Sequence, residues 1–115
     1  MKPQSAKDKG RRLQQEIRAA LLMFAPSLKE DDIISRSMGA GGEDLILSPA
    51  ARLIYPISAE CKYQENLNIW KAMEQTYANA DVHHIPVLFF RRNRSETYAA
   101  LPASTLLSLL VGRLL

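Results

Sequence analysis

The chain opens with a segment whose apolar residues follow helical spacing. From about Lys7 onward they recur at i, i+4, i+7, i+8 and i+11, at Leu13, Ile17, Ala20, Leu21 and Phe24. This spacing places them on one stripe of a helix. Pro26 ends the helix because proline lacks the backbone N–H that a helix interior needs. Residues 1 to 6, which include Pro3, are predicted to be disordered.

Three short strands are predicted next, with polar segments between them. Residues 32 to 37 form the first strand and residues 43 to 47 the second, on either side of a glycine-rich loop over residues 38 to 42. Glycine permits backbone angles that other residues resist, so this segment is read as a loop. A turn over residues 48 to 51 leads to a third strand over residues 53 to 62, in which Pro56 favours an edge position or a bulge.

The second half alternates again between helix and strand. A helix begins at Asn66 or Asn68, either of which could cap it, and runs to about Ala80; Trp70 and Tyr77 share its apolar spacing and are expected in the core. Strands follow over residues 85 to 90 and 97 to 101, and a closing helix begins at Pro102. The order αβββαββα predicts a single α/β domain over residues 1 to 115, with a mixed central sheet flanked by helices.

Composition narrows the class of protein. With 115 residues, 47% of them hydrophobic, the chain can bury one modest core. Its single cysteine, Cys61, excludes an intramolecular disulfide and suits a reducing compartment such as the cytoplasm. No signal peptide is predicted, and the apolar run over residues 106 to 115 is far shorter than the ~20 residues of a membrane span. We therefore expect a cytoplasmic protein with no membrane partner.

The formal net charge of +3 is modest, but the basic residues are unevenly distributed. Two clusters stand out: Lys2, Lys7, Lys9, Arg11, Arg12 and Arg18 near the N-terminus, and Arg91, Arg92 and Arg94 later in the chain. Such clusters suit a nucleic-acid backbone, although solvated helix faces carry similar patterns.

The candidate chemistry lies on the third predicted strand. Glu60 and Lys62 are two residues apart, so their side chains point to the same face. Asp44 opens the preceding strand, and hairpin pairing of the two strands would bring it beside Glu60. Mg²⁺ prefers one or two such carboxylates, and the Cys61 carbonyl could add a further oxygen. Lys62 could then hold the attacking water or stabilise charge on a phosphate. The alternative is a plain cross-strand ion pair.

Four segments resemble the PD-(D/E)xK nuclease superfamily, and within it the archaeal-type Holliday junction resolvases and related phage nucleases. In order they are Lys9-Gly10 opening a helix; Arg36-Ser37 before a glycine-rich loop that ends in Asp44-Leu45; Glu60-Cys61-Lys62; and Ile85-Pro86-Val87-Leu88 as a strand after the second helix. They span residues 9 to 90. The resemblance implies a restriction-endonuclease-like core, with Asp44 and Glu60 as metal-binding carboxylates and Lys62 as the catalytic lysine.

The same resemblance implies a metal-dependent endodeoxyribonuclease that cuts branched DNA in recombination or repair, inside a bacterial or phage-infected cell. Mg²⁺ is the expected cofactor, and Mn²⁺ is expected to substitute for it. The DNA-binding residues are expected near the helix start and the glycine loop: Lys7, Lys9, Arg11, Arg12, Arg36, Ser37, Gly41 and Gly42.

One position departs from the family pattern. These resolvases usually carry a further acidic residue four positions after the glycine of the Lys-Gly pair, where this chain has Gln14. Glu16 is the candidate substitute, but Gln14 and Glu16 lie roughly 200° apart around a helix and cannot both face one site. Either Gln14 makes a neutral contact, or Glu16 replaces it, or Glu16 is a surface carboxylate that offsets Arg12.

Two hypotheses about function follow. The first is the endonuclease, acting as a homodimer because symmetric cutting of a branched substrate needs two sites related by a two-fold axis. The C-terminal helix and the cluster Leu21, Leu22, Met23 and Phe24 are the candidate interface. The second is a noncatalytic DNA-binding or assembly protein that keeps the nuclease fold without holding a metal.

Overall fold

The computed structural model describes residues 3 to 37 and 41 to 114, which form an α/β fold with a mixed sheet flanked by helices. The strands are β1 (Ile33–Ser35), β2 (Leu45–Leu47), β3 (Ile57–Tyr63), β4 (Ile85–Arg91) and β5 (Tyr98–Ala100). The helices are α1 (Pro3–Phe24), α2 (Pro49–Ile54), α3 (Ile69–Asn79) and α4 (Ala103–Leu114), and a 3₁₀ turn, Glu30–Asp32, precedes β1.

The strands form two sheets. In the three-stranded sheet, β3 and β4 run parallel and β5 pairs antiparallel to β4. The other sheet is the antiparallel pair of β1 and β2, with Ser35 opposite Leu45. The prediction that the second and third strands pair as a hairpin is therefore wrong. The Asp44 backbone N–H donates to the Ala59 carbonyl at 2.9 Å, at the point where β2 approaches β3.

The turn predicted over residues 48 to 51 is instead the start of helix α2. Ser48 caps it, since its hydroxyl accepts a hydrogen bond from the Ala51 N–H at 3.1 Å, and Pro49 occupies the first turn. Both are favoured helix-start positions. Because α2 continues to Ile54, strand β3 begins at Ile57, after Pro56, instead of at residue 53. The observed order is αββαβαββα.

Helix α1 also begins earlier than predicted. It starts at Pro3 instead of about Lys7, so residues 3 to 6, which were expected to be disordered, are helical; residues 1 and 2 lie outside the described residues. Proline suits the first turn because its φ is already helical and its missing N–H would have no partner there. Asn68, and not Asn66, caps α3, by accepting from the Lys71 N–H at 3.2 Å.

The main core lies between α1, the β1–β2 hairpin and one face of β3. Its buried members include Leu13, Ile17, Ile33, Leu45 and Cys61. The Cys61 thiol is buried in this core, where a free cysteine packs as a small apolar side chain. None of the helices in the described ranges has the length and apolar character that a bilayer crossing requires.

Helix α3 packs on the opposite face of the sheet through small residues. Ala72 and Thr76, one helical turn apart, are its buried side chains, whereas Trp70 is 79% exposed and Tyr77 54% exposed. The prediction that Trp70 and Tyr77 lie in the core is therefore wrong. The sheet accepts the small-residue face of α3, which the apolar spacing of the large residues did not reveal.

Candidate functional site

Asp44, Glu60 and Lys62 meet at the edge of strand β3. The Asp44 main chain donates to the Ala59 carbonyl, and its carboxyl Oδ2 accepts from the Cys61 N–H at 2.7 Å. Glu60 lies between Ala59 and Cys61, so these two hydrogen bonds place Asp44 beside Glu60. The Asp44 and Glu60 carboxyl groups are close enough to hydrogen-bond with each other. The convergence predicted from the sequence is thus present, although it arises without a β2–β3 ladder.

Lys62 lies next to this carboxyl pair. Its Nζ is 3.9 Å from Glu60 Oε1, and its side chain is about one-fifth exposed. Glu60 itself is only 4% exposed. The spacing of two along β3 puts both side chains on the face that α3 covers, where Asn79 at the end of α3 donates to Glu60 Oε2 at 3.2 Å. The ammonium group is therefore held close to the two carboxyl groups and remains open to solvent.

Burial perturbs both carboxyl groups. It raises the pKa of Glu60 from 4.5 to about 7, and the neighbouring Asp44 charge adds to that rise, while Asn79 and Lys62 oppose it. Burial also raises the pKa of Asp44, against the lowering effects of the Cys61 N–H and Lys62. Two buried carboxyl groups in contact cannot both ionise cheaply, so a cation between them would favour their charged forms.

The donor set at this edge fits a hard divalent cation. Asp44 and Glu60 supply carboxylate oxygens. In a β-strand, the N–H and C=O groups of every second residue point to the same side of the strand. Ala59 and Cys61 both hydrogen-bond to Asp44, so their backbone groups point to the edge where Asp44 lies. The Cys61 carbonyl therefore points to this edge as well. Among the described residues, there is no group of three or more His, Cys, Asp or Glu side chains arranged to bind a metal ion. Two carboxylates with a carbonyl match the sparse protein ligation that Mg²⁺ accepts.

Gln14 and Glu16 point to different parts of the molecule. Gln14 is buried, and its Oε1 accepts from the Ser35 hydroxyl at 2.5 Å, on the β1–β2 side where Asp44 lies. Glu16 accepts from Thr97 at 2.6 Å and pairs with Arg91 at 3.2 Å, on the β4–β5 side. Gln14 is therefore on the side of Asp44. The ionic partner of Glu16 is Arg91, and not Arg12 as one of the three alternatives had it.

A basic cavity of about 390 Å³ lies beside Gln14, between α1 and the end of β1. It is lined by Lys7, Arg11, Gln14, Gln15, Ser35, Arg36 and Ser37. Four residues expected to bind DNA, Lys7, Arg11, Arg36 and Ser37, are therefore brought together. The positive charge of Arg36 opposes the rise in the pKa of Asp44, so this guanidinium lies within electrostatic range of the carboxyl pair.

The remaining expected DNA-binding residues are distributed differently. Lys9 points to the β4–β5 turn, where its Nζ donates to Asn93 at 2.9 Å and lies 5.4 Å from the Tyr63 ring centroid. Arg12 is exposed on α1 and does not line the basic cavity. Gly41 has open space around it, and Gly42 adopts a φ of 90° against the Arg36 guanidinium. Gly39, in the same predicted loop, lies outside the described residues.

The sequence did not reveal two supports of the site. Glu43 forms a two-pronged ion pair with Arg52 of α2, at 2.9 and 3.0 Å, and its carbonyl accepts from Arg36, so the residue before Asp44 is fixed from both sides. Asn79 supports Glu60 from α3. The Glu43–Arg52 and Glu60–Asn79 contacts each join separate segments of the chain, and no spacing in the sequence predicts either contact.

Comparisons with known proteins add no identification: no family model, no curated protein and no solved structure matches the chain.

Proposed function

We propose that the protein is a metal-dependent DNA endonuclease with a restriction-endonuclease-like core, of the PD-(D/E)xK type. The observation that carries the proposal is the Asp44 carboxyl group, held against Glu60 by hydrogen bonds to the backbone on both sides of it, with Lys62 on the same face. The resemblance of the four sequence segments to resolvases and phage nucleases points to the same three residues.

Mg²⁺ would be held by Asp44, Glu60 and the Cys61 carbonyl, and Mn²⁺ would substitute. Bound there, the cation supplies an activated water and offsets charge on the phosphate. Lys62 orients the attacking water or stabilises the charge that develops in the transition state. Its ammonium is suited to this role because it is anchored by Glu60 and remains partly open to solvent.

DNA, and branched DNA in particular, is the proposed substrate. The basic cavity formed by Lys7, Arg11 and Arg36 adjoins the carboxyl pair and offers fixed positive charge to a phosphate backbone. Its position at the start of α1 and the end of β1 would lead a strand toward Asp44. The proposed setting is the interior of a bacterial or phage-infected cell, during recombination or repair.

The protein is proposed to act as a homodimer. Helix α4 packs only lightly on the rest of the described chain and exposes Leu106, Leu107, Leu109, Leu110 and Val111. Next to it, Trp70, Met73, Tyr77, Leu101 and Pro102 line an apolar groove of about 720 Å³. Exposed apolar residues and grooves of this kind are typical of a protein–protein contact. The end of α1, where Met23 and Phe24 are exposed, is a second candidate surface.

A noncatalytic DNA-binding or assembly protein is the second candidate, and Gln14 favours it. Where the family pattern places an acid, this chain has a neutral amide bonded to Ser35. Two carboxylates and a carbonyl nevertheless satisfy Mg²⁺ when water and substrate complete its shell, which favours the nuclease over this second candidate.

Cleavage assays on matched substrates test the proposal. We expect the protein to cut a labelled four-way junction in Mg²⁺ and not in EDTA, with a nicked and a linear duplex as structural controls. Asp44→Asn and Lys62→Ala should each lower kcat by about 100-fold or more, because each removes a group from the reacting centre. Asp31→Asn and Lys71→Ala, which alter exposed residues of the same types, should cut normally. DNA binding without cleavage in Mg²⁺ or Mn²⁺ would instead establish the noncatalytic candidate.

A further inference from the structure

A small cavity with aromatic walls lies at the carboxyl ends of β3 and β4. It has a volume of about 290 Å³ and lies between the loop that follows β3 and the β4–β5 hairpin. Phe90 and Tyr98 form its aromatic side, Leu67 contributes another apolar surface, and Gln64 and Arg92 contribute polar side chains. The metal and phosphate chemistry proposed above uses none of these residues.

Strand register places this cavity next to Lys62. Lys62 lies opposite Phe90 on β4, and Phe90 lies opposite Tyr98 on β5, so the three side chains form one row on the same face of the sheet. Adjacent strands are about 4.8 Å apart, so the row spans roughly 10 Å. A nucleotide that neighbours a phosphate at Lys62 would therefore reach the cavity.

The Phe90 and Tyr98 rings on the aromatic side of the cavity form a surface that is partly exposed to solvent. The ring centroids of Phe90 and Tyr98 are 6.0 Å apart and the rings are inclined by 32°, while Tyr98 is 54% exposed. Such a paired and partly exposed surface is what a flat heterocycle stacks upon. Phe90 lies beside the Tyr98 ring on the adjacent strand, so the two rings together form the stacking surface.

The polar side chains at the cavity suit the edge of a base. Within the described residues, neither the Gln64 amide nor the Arg92 guanidinium has a side-chain hydrogen bond or ion pair. An amide both donates and accepts, which allows it to pair with a base edge, and a guanidinium can bind the adjoining phosphate.

The walls of the cavity are tied together. Glu65 Oε2 accepts from the Asn93 N–H at 2.6 Å, which links the loop after β3 to the hairpin turn. Arg91 is held by Glu16 and by the Tyr63 ring, whose centroid is 4.9 Å away. The cavity is thus formed in advance, which lowers the entropic cost of binding.

From these contacts we infer that the cavity is a nucleobase subsite that takes an unstacked base from the nucleotide next to the scissile phosphate, with Tyr98 as the stacking residue and Gln64 at the base edge. The inference rests on the proposed function and narrows its substrate class. A base leaves the helix at least cost where it is already unpaired, so the preferred DNA carries an unpaired nucleotide beside the cut, as at a branch or a bulge.

The test uses the full-length protein in Mg²⁺ on a bulged duplex. An abasic tetrahydrofuran analogue replaces one nucleotide at a time through the positions around the cut. We expect one position, adjacent to the cut, at which loss of the base lowers kcat/KM by about tenfold, because one stacked base contributes a factor of this order or more. For Tyr98→Ala, kcat/KM on the intact substrate should be as low as that of the wild type on the abasic substrate. Removal of the base should then cause no further decrease in the kcat/KM of this variant.

Tyr98→Phe is the matched control, since it keeps the ring and should keep the preference for the base. Thermal unfolding of each variant separates a folding defect from loss of the subsite. Equal cleavage of all abasic substrates by the wild type would overturn the subsite while leaving the nuclease intact. A position-specific loss that persists unchanged in Tyr98→Ala would also overturn it. Absence of cleavage on every substrate would instead overturn the proposed function, and binding of the same oligonucleotides would then test the subsite alone.

Discussion

Asp44 and Glu60 bring two carboxyl groups together at the edge of β3. Burial raises the pKa of both groups, and the neighbouring Asp44 charge adds to the rise at Glu60, whose pKa reaches about 7. Asn79 and Lys62 reduce the cost of charging Glu60 without removing it. In the absence of a cation, the folded chain therefore holds a proton at this pair that the unfolded chain would release at lower pH.

This proton makes stability depend on pH. The pKa of Glu60 is higher in the folded state than its ordinary value of 4.5. The protonated Glu60 therefore makes its full contribution to the free energy of unfolding below pH 4.5, and this contribution is lost as pH rises through about 7. We expect Glu60→Gln to remove this dependence of the free energy of unfolding on pH. Above pH 7 in EDTA, the variant should be more stable than the wild type by on the order of 1 kcal/mol or more, since each pKa unit corresponds to about 1.4 kcal/mol.

Thermal unfolding between pH 4.5 and 8 measures this effect, with a rise of roughly 4–8 °C in Tm expected per kcal/mol for a domain of this size. Glu74→Gln, on the exposed side of α3, is the control and should keep the wild-type slope. A Glu60→Gln variant with the same pH slope as the wild type would show that Glu60 is not the group that holds the proton.

At the scale of elements, the sequence predicted each strand and the three longest helices because their apolar spacing is regular. It missed α2, since a six-residue helix is too short to show a period, although the Ser48-Pro49 start was visible. It placed Trp70 and Tyr77 inside because spacing alone does not say which face of α3 meets the sheet. Glu60 and Lys62 followed from alternation along β3, whereas Asp44 was placed beside Glu60 by a hairpin pairing that the structure does not have and by the family resemblance. The support of Glu60 by Asn79 depends on tertiary packing that no local pattern records.

Helix α2 depends on its cap. The Ser48 hydroxyl accepts from the Ala51 N–H and also donates to Asp32 Oδ1 at 2.7 Å. We expect Ser48→Ala to destabilise the protein by about 1–2 kcal/mol, because it removes the cap and leaves a helix-end N–H without a partner. Denaturant unfolding measures the change. Ser48→Thr preserves the hydroxyl and should stay close to the wild type, whereas equal loss in both variants would assign the effect to packing and not to capping.

At the scale of the whole molecule, polar and apolar surfaces are segregated. The basic cavity of Lys7, Arg11 and Arg36 lies beside the carboxyl pair, whereas the exposed leucines of α4 and the groove of Trp70 and Tyr77 form an apolar surface along α3 and α4. This arrangement allows two copies to meet through α3 and α4 while each keeps its own carboxyl pair.

Sedimentation velocity tests this assembly. At micromolar concentration we expect the wild type to sediment as a dimer and Leu107→Glu to sediment as a monomer, because a charge in an apolar contact loses its hydration. Leu53→Glu is the control: Leu53 is 89% exposed on α2, which is not part of the proposed contact through α3 and α4, and its substitution should leave that contact intact. A monomeric wild type would contradict the two-site arrangement.

The way Asp44 joins β2 to β3 also bears on how the molecule would respond to its ligand. Besides the shared core, Asp44 links the hairpin of β1 and β2 to the three-stranded sheet through both its main chain and its carboxyl group. If the protein is the nuclease proposed above, an ion shared by Asp44 and Glu60 would strengthen this link, and loss of the ion would weaken it. Product release and relaxation of the hairpin would then be coupled, and the residence time of the ion would set the lifetime of the complex with cut DNA.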